Sequence, residues 1–162
     1  MLPFLPLLGA LAGVLLFGLA RVLPPSRRLA ESLSTRALVV VHLVRGAGAA
    51  FVVLARESLL PPDVAERFGI GEVAAAVLAA GVLWLLTMPL GRKPRTIVAW
   101  SAFGLINIAW FSHAWIGEAA NSTAAARIAA LPLVLYPAAI IPLAVASHLE
   151  LLRRALGRSA GR

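Results

Sequence analysis

The run VVVHLVRGAGAAFVVL, from Val39 to Leu54, places His42 and Arg45 inside an otherwise apolar stretch. Glu72, Asn107, His113 and His148 stand in similarly oily surroundings further along the chain. These residue types define the chemistry open to the protein. Imidazole and carboxylate groups exchange protons, a guanidinium binds anions or a carboxylate, and an amide orients either. Arg45, Glu72, Asn107 and His148 are therefore candidates for handling a ligand or a proton. His42 and His148 lie on different apolar segments, and such a pair could supply both axial ligands of a b-type haem. Gly46 and Gly48 beside His42 would leave room for a macrocycle, although helix packing explains them equally well.

Whether those groups are in water or in lipid follows from the rest of the chain. Hydrophobic residues make up 60% of the 162 residues and charged residues 14%, against roughly 45–50% and about 25% in ordinary soluble domains. The net charge is +8. The arginines sit in short clusters between apolar runs, which argues against a nucleic-acid-binding face. Cysteine is absent, so disulfides, thiolate metal sites and cysteine nucleophiles are excluded. The opening MLPFLPLLGALAGVLLFGLARVL lacks the basic start of a cleavable signal and is too long for its apolar core, so it reads as a retained span.

A helix crosses a bilayer with about 20 mostly apolar residues. Five segments qualify, at about 2–23, 37–56, 70–90, 96–116 and 131–152. The expected fold is thus all-α, a single membrane domain over 1–162 built as a bundle of five transmembrane helices. The last span contains Pro132, Pro137 and Pro142, which a membrane helix tolerates when neighbours satisfy the freed carbonyls. Arg21, Arg27, Arg28, Arg36, Arg92, Lys93, Arg95, Arg153, Arg154, Arg158 and Arg162 fall on one side of a five-span arrangement. Only Arg56, Arg67 and Arg127 fall on the other, with Glu57, Asp63, Glu66 and Glu118. The positive-inside rule then puts the N-terminus outside and the C-terminus in the cytoplasm of a bacterial inner membrane. Trp100, Trp110 and Trp115 are candidate interfacial anchors of the fourth span. Gly9, Gly13, Gly46 and Gly48 provide close helix approach, to each other or to a separate subunit or pigment.

Treating each span as a straight α-helix sorts the polar residues by depth. Glu72 and His113 fall in the outer layer, Arg45 and Asn107 in the centre, and His42 and His148 in the inner layer. An arginine in the membrane is costly, about 2.5–3.5 kcal/mol on insertion scales, so Arg45 must find partners. The carbonyls of Leu133 and Ala138, freed by Pro137 and Pro142, are the expected ones, with Asn107. An ion pair with Glu72 meets an axial gap of about 14 Å. The plainer reading of Arg45 is a lock for the bundle. Glu72 reads as an interfacial carboxylate at a helix start, and the histidines as interfacial residues.

No metalloprotease, nucleophile-elbow, phosphate-loop or dinucleotide pattern appears. FGIGEVAAAV lacks the strand and the third glycine that a dinucleotide site needs. Metal ligands at usable spacing are missing, and the chain does not read as an enzyme. Arg45, Gly48 and Phe51 match R-x-x-G-x-x-F, and LPPDVAERFGIGE, residues 60–72, resembles a segment ending in G-x-G-D. WSAFGLIN, residues 100–107, resembles W-N-x-x-G-x-x-D, and Pro132, Pro137, Pro142 and His148 give P-x4-P-x4-P-x5-H. In that order these motifs resemble a group of small multi-pass bacterial membrane proteins, over roughly residues 40–155. The resemblance implies a bacterial helical bundle and no particular reaction. Glu72 and Asn107 stand where that group favours Asp, and the second change removes a charge from the bilayer centre. The leading expectation is a non-catalytic accessory or structural subunit of a larger inner-membrane complex, respiratory or photosynthetic. Its partners would be lipids and other membrane subunits, and no cofactor is expected, with a b-type haem or a bound pigment as the alternatives. The alternatives are a small ligand or proton-coupled carrier and a haem-binding electron-transfer protein.

Overall fold

A computed structural model of the chain describes residues 4–88, 93–119, 124–130 and 132–159, and among them the regular structure is helical throughout. Helix α1 (Leu5–Val22) starts with a proline in its first turn and ends where Leu23 turns extended. Pro24 and Pro25 then open the short helix α2 (Pro24–Ser32), as proline's fixed φ and missing N–H suit a helix start. Ser34 caps α3 (Thr35–Val40), its hydroxyl accepting the Ala37 N–H at 3.0 Å. The chain then tightens into a 3-10 helix over Val41–Gly48 before relaxing into α4 (Ala49–Arg56). Helices α5 (Pro62–Leu85), α6 (Lys93–Ala119) and α7 (Ala124–Ala129) follow. A π-helical turn over Tyr136–Ile140 leads into α8 (Ile141–Ser159).

Two of these departures from α geometry have local causes. Pro142 cannot donate to the Ala138 carbonyl, and the bonding register slips so that the Ile141 N–H reaches Tyr136. In the 3-10 segment, buried residues recur at every third position: Val39, His42, Arg45, Gly48 and Phe51. An α-helix turns about 100° per residue, so such a set would spiral around it. At 3.0 residues per turn the same set forms one straight stripe. The spacing of the buried side chains and the tighter winding are one fact.

Four stretches are long and apolar enough to cross a membrane: Leu5–Val22, Thr35–Arg56, Pro62–Leu85 and Pro94–Gly117. The third begins eight residues earlier than the sequence reading had it. The expected fifth, 131–152, divides into a turn, the π segment and α8, which continues to Ser159 and carries Glu150, Arg153 and Arg154. Arg92, Arg162 and the side chains of Lys93, Glu118 and Arg158 lie outside the described residues.

Helix α8 packs between α1 and α6, while α5 packs on the 3-10 segment, α4 and α6. Gly9 and Gly13 let α1 approach the backbone at Pro137 and Pro142, which explains their helix-packing spacing. Two apolar clusters form the core. One centres on Phe51, Phe68, Phe111, Trp115 and Tyr136, with Phe68 and Phe111 stacked at 3.6 Å. The other joins Leu38, Val39, Ala79, Val82, Trp100 and Leu151. Trp100 and Trp115, expected as interfacial anchors, are buried in these clusters, whereas Trp84 and Trp110 face outward. On four elements the polar residues fall between the two clusters along the chain, so a polar layer lies sandwiched between apolar ones.

Candidate functional site

Arg45 occupies the centre of that layer and is fully buried. Its Nε donates to Glu72 Oε2 at 2.8 Å, and its Nη2 pairs with Glu72 Oε1. The result is a two-point guanidinium–carboxylate pair, the strongest geometry open to these groups. Nη1 donates to His148 Nε2 at 2.8 Å, and Nη2 also lies 3.5 Å from the Gly104 carbonyl. Glu72 is saturated in turn. Asn107 Nδ2 donates to Oε1 at 2.8 Å, and the Tyr136 hydroxyl donates to Oε2 at 2.6 Å. Four donors thus meet the carboxylate's roughly four acceptor sites.

The structure corrects the depth map at this point. Arg45 meets Glu72 directly and does not take the carbonyls of Leu133 and Ala138; the Leu133 carbonyl accepts from Tyr136 N–H instead. Because α5 starts at Pro62, Glu72 lies about 15 Å along it, in the middle layer. Arg45 lies about 18 Å from Arg56 once the 3-10 rise of about 2.0 Å per residue is counted. The presumed 14 Å gap closes to a few ångströms. His113 stays apart and is exposed.

Glycines make the site possible. A Cβ on Gly48 would collide with Glu72, one on Gly71 with Asn107, and one on Gly104 with His148, standing 2.8 Å from Arg45 Nη1. Three helices therefore present bare backbone to the polar side chains.

His42 is also fully buried, its Nε2 2.8 Å from Ser147 Oγ. Its ring lies against that of His148, centroids 3.9 Å apart and tilted by 38°, and Trp100 covers both edge-on. Bis-histidine haem ligation needs the two rings on opposite faces of a porphyrin with iron between their nitrogens. Rings in direct contact leave no gap for that plane, and both Nε2 atoms already have partners, so the pair does not fit haem.

The ring nitrogens can be assigned from their partners. Arg45 only donates, so His148 Nε2 accepts and its proton sits on Nδ1. Ser147 Oγ is also within 2.7 Å of the Leu143 carbonyl, to which it gives its single proton, so His42 Nε2 donates to Ser147. His42 Nδ1 is then a bare acceptor and His148 Nδ1 a bare donor, and neither has a partner.

Sequence reading named Arg45, Glu72, Asn107, His42 and His148, and the structure brings all five together. It passed over Tyr136, Ser147 and a second polar cluster further along α8. There Glu150, 4% exposed, is met by Arg153 at 2.8 Å, Arg154 at 2.6 Å and Arg21 at 2.9 Å. Arg154 also donates to the carbonyls of Ala30 and Leu33, closing the end of α2. The i+3 and i+4 spacing of Arg153 and Arg154 from Glu150 was the available signal.

Residues 2–156 match the family model described as Domain of unknown function (DUF8737), and the chain belongs to that family. No curated protein and no solved structure matches it.

Proposed function

We propose that this member of the DUF8737 family is a five-span bacterial inner-membrane protein that serves as a non-catalytic accessory subunit of a larger membrane assembly. One observation carries the reading: the Arg45–Glu72 network is sealed. Its charges cancel, the carboxylate has all its donors, and both residues are at most 1% exposed. Such a network acts as a lock that fixes four elements against one another and leaves their apolar outer faces for lipid or neighbouring subunits. The fifth span is the π segment with α8, supported by its packing against α1 and α6. The excess of basic residues on one side supports an N-terminus outside and a C-terminus in the cytoplasm. Gentle purification from native membranes, with an absorption spectrum, tests the role. Co-purifying membrane subunits are expected. A protein that leaves its native membrane alone, stable and monodisperse would overturn it.

A second reading, a proton-coupled carrier, is favoured by the unpartnered Nδ1 atoms of His42 and His148, whose rings lie 3.9 Å apart. A ring rotation that joined donor to acceptor would link Ser147 through both imidazoles to Arg45 and Glu72. Proton uptake by proteoliposomes that disappears in Arg45→Ala and in His148→Phe would replace the first reading with this one.

A further inference from the structure

A cleft of about 170 Å³ opens between α1, α2, the α3 end of the second span and α8. Its walls are apolar, formed chiefly by Leu16, Phe17, Leu38, Val41 and Leu143, and Arg21 and Glu150 stand at its edge. The Arg21 guanidinium lies 5.8 Å from the centre of the Phe17 ring. Its Nη2 is 2.9 Å from Glu150 Oε2, yet that oxygen lies off the N–H direction. Nε and Nη2 are closed to solvent and have no hydrogen-bond acceptor among the described residues, while the side chain as a whole keeps 24% exposure.

The local charge is also unbalanced. Among the described residues, Arg21, Arg27, Arg153 and Arg154 pair with Glu150 and Glu31 alone, and Glu31 is taken by Arg27 at 2.9 Å. The Arg27 bond holds the Glu31 carboxyl below its usual range, with Arg21 and Arg153 adding to the effect, so Glu31 is ionised. Two positive charges are left over beside an apolar cleft in a membrane-embedded surface.

We propose that this cleft binds an anionic phospholipid, with its phosphate on Arg21 and one acyl chain laid along the apolar walls. The phosphate oxygens meet the part of the Arg21 guanidinium that stays exposed and offset the surplus charge. A phosphate so placed gains a charge-assisted bond, and the chain fills space that water would not. This goes beyond the accessory role and does not depend on it.

The test is thermal unfolding of the full-length protein in neutral detergent. Phosphatidylglycerol, phosphatidylcholine with the same chains, and inorganic phosphate are added separately. A ligand at about 100 times its Kd raises the unfolding midpoint by roughly 5–10 °C for a chain of this size. That rise is expected with phosphatidylglycerol alone, lost in Arg21→Gln and kept in Arg28→Gln, whose side chain lies outside the cleft. An equal rise with phosphatidylcholine would show that charge is irrelevant, and one with phosphate alone that the chain is. Either result overturns the proposal, as does a full rise in Arg21→Gln. If that variant does not fold, Ala146→Phe is read instead, since it fills the cleft and spares the arginines. Loss of the rise there supports the site, and an undiminished rise ends it.

Discussion

Arg45 and Glu72 solve each other's problem, because either one alone in this layer would be a buried charge without compensation. Removing one partner of such a pair costs about 3–5 kcal/mol, whereas replacing both with apolar side chains is often close to neutral. Glu72→Ala is therefore expected to lower stability in detergent by about 3–5 kcal/mol, and Arg45→Met with Glu72→Met by much less. Equal losses in the single and double variants would contradict this account. The glycines give a second contrast. Gly104→Ala drives a methyl into His148 and Arg45 and should cost about 1–3 kcal/mol. Gly81, with nothing within 4 Å, should gain about 0.5–1 kcal/mol as alanine. Urea or thermal unfolding of the two proteins decides it. Polar residues in apolar runs were conspicuous in the sequence, so five members of the site were legible. Tyr136 and Ser147 were not, since a hydroxyl in a membrane helix is commonplace and only a partner marks it. Glu150 falls inside the expected span 131–152 but two residues from its end beside Arg153 and Arg154, so nothing marked it as buried.

Elements explain why the depths went wrong while the membership went right. Straight α-helices of uniform rise put Arg45 and Glu72 in different layers. The second span is wound tightly over Val41–Gly48, and α5 begins at Pro62. The stripe Val39, His42, Arg45, Gly48 and Phe51 has a period of three in the sequence itself, and the R-x-x-G-x-x-F pattern is its second half. That period was visible, but it reads as noise until burial is known, because long 3-10 runs are uncommon. The start of α5 was less legible: Asp63, Glu66 and Arg67 made its first turns look like a connector. At the α1–α8 contact, a Cβ on Gly13 would stand 2.6 Å from that of Val145 and 2.7 Å from the Pro142 carbonyl, while Gly18 has open space. Gly13→Val should loosen α1 and expose its inner face to proteolysis or to hydrogen exchange, and Gly18→Ala should not. Similar exchange in both variants would mean that α1 is not seated by this contact.

At the scale of the molecule, all-helical membrane character was the most legible feature, since 60% hydrophobic residues leave no other economy. The number of crossings and their direction can be read with engineered thiols, because the chain has no cysteine of its own. Ser26→Cys should react only with reagents reaching the cytoplasm and Ser58→Cys only with those outside. Labelling of both from one side would undo the five-span arrangement. The sequence separation within the Arg45–Glu72 pair has a further consequence, for how the protein is made. Arg45 leaves the ribosome 27 residues ahead of Glu72 and 103 ahead of His148. Alone in the bilayer it would cost about 2.5–3.5 kcal/mol, so the second and third spans should leave the translocation channel together as a hairpin. Nascent chains halted before Glu72 emerges should integrate the second span poorly. Those extended through α5 should integrate it well, unless Glu72 has been replaced by alanine.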